Sequence, residues 1–282
     1  IGSEDLEMLI TYLRKDNTIL DPEEYSHKVL ADQLNYNEIC LTFDDALKSQ
    51  FDVAKPILDS YNLKAFFFVY SSIYTDKPDL LEFYRDFRMN CFSHVDDFYD
   101  VFFKKIEGLI LECPDSSLPP DDYLSDAPFY SFKDRKFRFI RDLVLGPDSY
   151  AKVMRELMRD MGYSVEHRKE HLFLSVQDLA LLRHGGHTIG LHSDSHPTMI
   201  DAMDVERQRE EYYMNIEFLH TSLGISASSV SHPCGRYSQA TLDILKDLGI
   251  TIGFRANLKP NQVKSPLEIP REDHANLMGH LR

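Results

Sequence analysis

The sequence predicts an α/β fold, a parallel sheet or barrel interrupted by a helical insertion at approximately residues 77–171. Three observations predict it. A buried strand, a helix and a second buried strand follow one another within residues 37–70, a βαβ unit whose right-handed crossover requires parallel strands. Residues 77–171 are rich in aromatic side chains at helical spacing and poor in strand signals. From Val176 onward, helical and strand patterns alternate again.

Each element has its own signal. Residues 37–43 (NEICLTF) carry the β-branched and aromatic content of a buried strand and end in Asp44 and Asp45. Residues 47–61 place Leu47, Phe51, Ala54 and Leu58 at helical spacing, with Asn62 as the stop and Pro56 as the source of a kink. Residues 64–70 (KAFFFVY) form the second strand. Helical stretches follow at 80–92, 94–111 and 150–161, while the prolines and acidic residues of 113–128 predict a loop able to act as a flap. A helix at 176–183 precedes a strand at 187–192 (HTIGLH). The helix at 204–223 is expected to bury Val205, Tyr212, Ile216 and Leu219 and to end at Gly224. Strands at 229–232, 250–255 and 267–271, with a helix at 239–248, complete the pattern.

Composition narrows the function. A chain of 282 residues with 43% hydrophobic and 27% charged side chains can form one large domain or two small ones, and the pattern above is read as a single domain spanning 1–282. Its net charge of −15 leaves no basic stripe for phosphates, so no nucleic-acid partner is expected, and an anionic polymer would be repelled. Cys40, Cys91, Cys113 and Cys234 form no CxxC pair, which fits reduced thiols and a cytoplasmic location. The chain begins IGSEDLEML, without a methionine, so a removed export signal stays open. No apolar run approaches the roughly 20 residues of a transmembrane helix.

The chemistry resides in two short strings. His192 and His196, in GLHSDSHP, are four residues apart and can converge on one ion or stand exposed in a loop. Asp44 and Asp45 can cap the next helix, or, at the end of a buried strand, can need a cation to relieve their mutual repulsion. A His2Asp site supplies that cation and leaves coordination positions open, the pattern of a catalytic centre.

TFDD at 42–45, followed by HSDSH at 192–196, resembles the first two motifs of the polysaccharide deacetylases, carbohydrate esterase family 4. The stretch ICLTFDDALKSQFDVAKPILDSYNLKAFFFV resembles that family's opening βαβ unit, and SVSHPCGRYS its third motif. The resemblance covers roughly 170 residues, outside the helical insertion. It implies a distorted (β/α) barrel of NodB-homology type. It also implies a divalent metal, zinc first with cobalt, nickel or manganese as alternatives, held by Asp45, His192 and His196. Asp44 would be the general base, and the turn at Pro233 and Cys234 would offer a backbone N–H to the oxyanion. The Cys234 thiol itself is expected to be a small buried apolar group.

Two positions depart from the family. Ser231 stands where many members have an arginine, and Arg271 stands about where a histidine would protonate the leaving amine. Arg271 can pair with Asp44 and hold it ionised, or pair with Glu272 or Asp273. His232 is the candidate general acid, or else a histidine that hydrogen-bonds a barrel strand; His274, His184 and His187 stand in reserve. Tyr70, Tyr74 and Tyr237 lie near strand ends where a sugar could stack, without a signal that singles them out.

Three functions compete at this point. The first is removal of an N-acetyl or other N-acyl group from an amino sugar of a polysaccharide, surface glycan or glycan precursor, an N-acetylated carbohydrate thus being the expected partner. The second is hydrolysis of a small non-sugar amide on the same scaffold. The third is a carbohydrate-binding relative that has lost catalysis, against which the retained Asp44 weighs. The insertion offers a surface for a homo-oligomer or a cover for a cleft.

Overall fold

In the computed structural model, residues 2–110, 118–124, 130–256 and 264–281 are described. The amino-terminal segment contains α1 (Ser3–Asp16), β1 (Thr18–Ile19), α2 (Pro22–Leu30) and β2 (Glu38–Ile39). The run expected as one strand at 37–43 is divided at Cys40: β2 pairs with β1 in a two-stranded sheet, and β3 (Leu41–Phe43) joins the main sheet.

The main sheet contains β3, β4 (Ala65–Val69), β5 (Thr188–Leu191), β6 (Ser229–Ser231) and β7 (Ile252–Phe254), all parallel and in sequence order. With crossovers of one hand, that order places every connection on the same face and curls the sheet about the other. The curl is visible in the core. Phe66 and Phe68 of β4 lie 5.1 and 5.4 Å from Phe254 of β7, measured between ring centroids. Two strands intervene, and in a flat sheet three spacings would separate these rings by roughly 14 Å. Leu20, Tyr25, Ile252 and Ile269 fill the same cluster. Gly190 makes the approach possible, because a Cβ there would lie 2.5 Å from Ser229 Oγ and 2.6 Å from the Phe68 ring. This is the expected distorted (β/α) barrel with an open sheet.

Its helices follow the sequence with local corrections. The helix after β3 begins as a π-helical turn over Gln50–Ala54 and continues as α3 (Lys55–Ser60). The wider turn accommodates Pro56, which has no N–H to give to a carbonyl four residues back.

Residues 80–169 form a second compact unit, separate from the unit of Ile1–Asp79 and Glu170–Arg282. It contains α4 (Leu81–Asn90), α5 (Val95–Ile110), α6 (Phe132–Phe139) and α7 (Gly146–Asp160); α8 (Val165–Leu172) spans its carboxyl-terminal boundary. Phe87, Phe98, Phe102 and Phe137 are fully buried in it and meet largely edge to face. Asp86 accepts hydrogen bonds from Arg168 Nε and Nη2 at 2.8 and 2.6 Å and from the Tyr163 hydroxyl at 2.6 Å. Most of the loop expected at 113–128, with Cys113, lies outside the described residues.

The first unit is completed by α9 (Val176–His184), α10 (Val205–Leu223), α11 (Gln239–Asp247) and α12 (His274–Leu281). On α10 the buried stripe is Gln208, Tyr212, Asn215 and Leu219, whereas Val205 is exposed, so its phase differs from the one expected. Residues 267–271 are not a full strand. A 3₁₀ turn at Pro266–Glu268 leads to a single parallel bridge between Ile269 and Phe254. Gly253 permits it, since a Cβ there would lie 2.6 Å from the Leu267 carbonyl oxygen. Among the described residues, no helix is long and apolar enough to cross a membrane.

Candidate active site

Strand alternation assembles the site. Thr42 and Asp44, Phe68 and Tyr70, Gly190 and His192, Ser229 and Ser231, and Ile269 and Arg271 are each two residues apart, so each pair shares a face. Phe68 and Ile269 belong to the core described above, and Gly190 and Ser229 line its approach. Their partners therefore emerge at the carboxyl-terminal rim, where parallel α/β barrels place their chemistry.

Two adjacent carboxylates diverge at the end of β3. Asp45 and Ala46 have φ of 74° and 53°, left-handed values that turn the chain immediately after Asp44. Such a conformation costs roughly 1 kcal/mol or more per non-glycine residue. Gln50 Nε2 donates to the Asp44 carbonyl, and Leu174 N–H donates to the Ala46 carbonyl at 2.8 Å, which secures the turn.

Past the turn, Asp45 Oδ1 lies 3.3 Å from His192 Nε2 and 3.4 Å from His196 Nε2. The three ligand atoms all fall within 4.8 Å of one another. His192 and His196 are 2% and 7% exposed. The His192 Nδ1 is 2.7 Å from the Ser231 carbonyl, to which it donates, so in the neutral ring the lone pair is on Nε2 and faces Asp45. Two imidazoles and one carboxylate, with one ring held in the ligating tautomer, fit a divalent ion of the zinc type and leave positions open for water and substrate.

Asp44 faces a different partner. Arg271 Nη1 donates to its Oδ1 at 2.9 Å, and Nη2 donates to its Oδ2 at 2.7 Å. The same guanidinium donates to Thr42 Oγ1 at 3.1 Å, to Ser231 Oγ at 2.9 Å and, through Nε, to the Arg255 carbonyl at 3.1 Å. Ser231 Oγ in turn donates to Asp44 Oδ2 at 3.0 Å. Burial alone would raise the Asp44 pKa, but the Arg271 charge and hydrogen bonds reverse that and hold the carboxyl below its ordinary range. Of the pairings open to Arg271, the one with Asp44 is realised.

Of the two readings of His232, general acid or strand-bonding histidine, its geometry favours the second. The residue is 0% exposed, its Nε2 is 2.8 Å from the Leu267 carbonyl, and its ring stacks on Tyr237 at 4.5 Å. Burial pushes its pKa down to about 4. A neutral imidazole bonded to the turn before Ile269 matches the strand-bonding alternative. His187 is likewise buried, accepting the Ala65 N–H at Nδ1, while His274 is exposed beside Asp273.

Pro233 and Cys234 occupy the turn at the end of β6, with Cys234 at φ 53°. Cys234 is exposed, whereas a small buried apolar group was expected. Tyr70 is buried with its ring 5.6 Å from His196, and Tyr74 stacks on Phe218 at 4.5 Å.

Several supporting residues were not evident from sequence. Asn215 Oδ1 accepts the His192 N–H at 2.9 Å, and Glu211 accepts from the Asp194 and Ser195 backbone. Asn215 gave no signal because the stripe expected on this helix did not include it. Gln50 gave no signal, Thr42 only its place in TFDD, and Ser231 only its departure from the family's arginine.

The sequence model of one family, described as polysaccharide deacetylase, matches residues 150–253. No curated protein matches the chain in sequence. Among solved structures, IcaB from Ammonifex degensii is similar at 16% identity and a TM-score of 0.56, covering 96% of this chain and 83% of that one. The BpsB deacetylase domain from Bordetella bronchiseptica gives 15% and 0.55, covering 95% and 83%. The Streptococcus pyogenes deacetylase PplD, in complex with acetate, gives 15% and 0.52, covering 99% and 84%. At these identities the likeness is one of fold.

Proposed function

We propose that this chain, which matches the polysaccharide deacetylase family over residues 150–253, is a member of that family and uses a divalent metal ion to remove the N-acetyl or other N-acyl group from an amino sugar of a polysaccharide, surface glycan or glycan precursor. The observation that carries the reading is the division of labour at the end of β3: Asp45 meets two histidines, while Asp44, one residue earlier, is gripped by Arg271. A binding module needs the first arrangement at most. A hydrolase needs both.

Asp45, His192 and His196 would hold the ion, with zinc best suited to the donor set and cobalt, nickel or manganese able to replace it. Such an ion polarises a carbonyl and makes water acidic enough to attack at neutral pH. Asp44, ionised by Arg271, accepts the proton of the attacking water. The backbone N–H of Cys234 is assigned to the developing oxyanion. Asp44 then delivers its proton to the departing nitrogen, a transfer favoured because Arg271 stabilises the anion left behind. Thr42 and Ser231 hold the guanidinium and carboxylate in register throughout.

The acyl group is read as acetyl because two of the structural relatives are described as deacetylases, one of them in complex with acetate. The test is incubation of zinc-loaded protein with N-acetylglucosamine oligomers and, separately, with small linear and cyclic amides, measuring acetate and free amine. Acetate release from the sugar supports the reading. Turnover of small amides alone would replace the substrate, and release from none of them would remove the hydrolase.

A further inference from the structure

The loop that carries both histidines, His192 to His196, has Ser193 and His196 in left-handed conformations, with φ of 64° and 51°. Non-glycine residues persist there only where their surroundings over-determine them. Two walls do so. On one side, Ser71 Oγ donates to Asp194 Oδ1 at 2.6 Å and Ser72 N–H donates to the Asp194 carbonyl at 2.9 Å. On the other, the Glu211 carboxylate of α10 receives three donors: Asp194 N–H at 3.1 Å and Ser195 N–H at 2.8 Å on Oε2, and Ser195 Oγ at 2.6 Å on Oε1. One helical turn later, Asn215 accepts the His192 N–H. Residues four apart lie on one helix face, so a single face of α10 holds His192 at one end of the loop and Asp194 and Ser195 next to the other.

We infer that Glu211 and Asn215 are positioning residues for the metal centre: α10 is the template that fixes the separation of His192 and His196, and Glu211 acts through the three hydrogen bonds it accepts rather than through its charge. The inference rests on the reading of Asp45, His192 and His196 as metal ligands. Without Glu211, residues 193–196 relax towards right-handed backbone, and the two Nε2 atoms no longer converge.

Glutamine separates hydrogen bonding from charge. Its carbonyl oxygen can accept both backbone N–H groups, and its amide can donate to Ser195 Oγ, which accepts as readily as it donates. The experiment is zinc affinity, read by competition with a chromophoric chelator, for wild type, Glu211→Leu and Glu211→Gln, with the cobalt(II) d–d spectrum as a report on ligand geometry. Glu211→Leu is expected to weaken zinc binding by about 10- to 100-fold, as loss of an outer partner does, and to alter the cobalt spectrum, while Glu211→Gln stays within about threefold of wild type. Equal zinc affinity in wild type and Glu211→Leu overturns the inference, whatever the melting temperatures. A glutamine variant as weak as the leucine one overturns its hydrogen-bond basis. If Glu211→Leu does not fold, Ser195→Ala removes one of the three contacts, and its affinity must still fall; no change overturns the inference. Wild type that binds no zinc overturns the metal-centre reading itself and this inference with it.

Discussion

Arg271 and Asp44, 227 residues apart in sequence, meet as a two-pronged pair in which each carboxylate oxygen receives its own guanidinium nitrogen, at 2.9 and 2.7 Å. A fork of this kind fixes direction as well as charge, which a lysine cannot do. Arg271→Lys is therefore expected to lower kcat by about 100-fold, the scale of an ångström-level misplacement, while zinc affinity stays within about threefold. Steady-state kinetics on an N-acetylated sugar, paired with a zinc titration, read the two effects separately. Turnover equal to wild type would reduce the pair to a structural contact.

Asp44 and Asp45 should separate cleanly by substitution. Asp44→Asn is expected to lose about 10²- to 10⁴-fold in kcat with the metal retained, since it removes a proton acceptor and not a ligand. Asp45→Asn is expected to lose the metal and, with it, activity. Zinc content after dialysis, measured beside turnover, checks both. Loss of zinc from the Asp44 variant would merge the two roles.

His232→Ala is expected to leave the basic limb of the pH–rate profile in place, because the ring is buried and neutral with its pKa near 4. Its cost should appear in stability, about 2–4 kcal/mol from the lost Leu267 hydrogen bond and the vacated ring volume. Thermal melting and a pH profile together make the measurement. A basic limb that disappears would restore the histidine as proton donor.

In the helical unit, burial would raise the Asp86 pKa, but hydrogen bonds from Arg168, Tyr163 and Asn90 lower it on balance. A depressed folded-state pKa contributes stability above the unfolded value near pH 4, and that contribution is lost as pH falls through the folded value. Asp86→Asn is accordingly expected to cost about 2–3 kcal/mol at pH 7, with the difference from wild type shrinking below about pH 4. Denaturation at both pH values checks the sign. A difference that does not vary with pH would show that the carboxylate charge is irrelevant.

The parts legible in sequence were those encoded locally. The AFFFV run of β4 is buried throughout and could only be an interior strand, and Asp44, Asp45, His192 and His196 declared themselves because short motifs sit at strand ends. The amino-terminal α1, β1 and α2 were not read, since β1 and β2 are two-residue strands that exist only through each other. The partner of Arg271 was undecidable among Asp44, Glu272 and Asp273 because the choice depends on the single bridge between Ile269 and Phe254, a register that sequence does not carry. The environment of His232 was hidden for a related reason: residue type suggests a neutral-range pKa, and only its burial in three dimensions lowers it. The phase of α10 was misjudged because Asn215 and Gln208, both polar, are buried by partners they find in three dimensions.

The central claim is that one ion, held by Asp45, His192 and His196, is required for hydrolysis of an N-acetylated amino sugar. The most direct measurement strips the protein with a chelator and titrates zinc back while recording acetate release from an N-acetylglucosamine oligomer. Activity that vanishes on stripping and returns fully at one zinc per chain, but not in the Asp45→Asn variant, is the expected result. Undiminished acetate release from the stripped protein would contradict the claim.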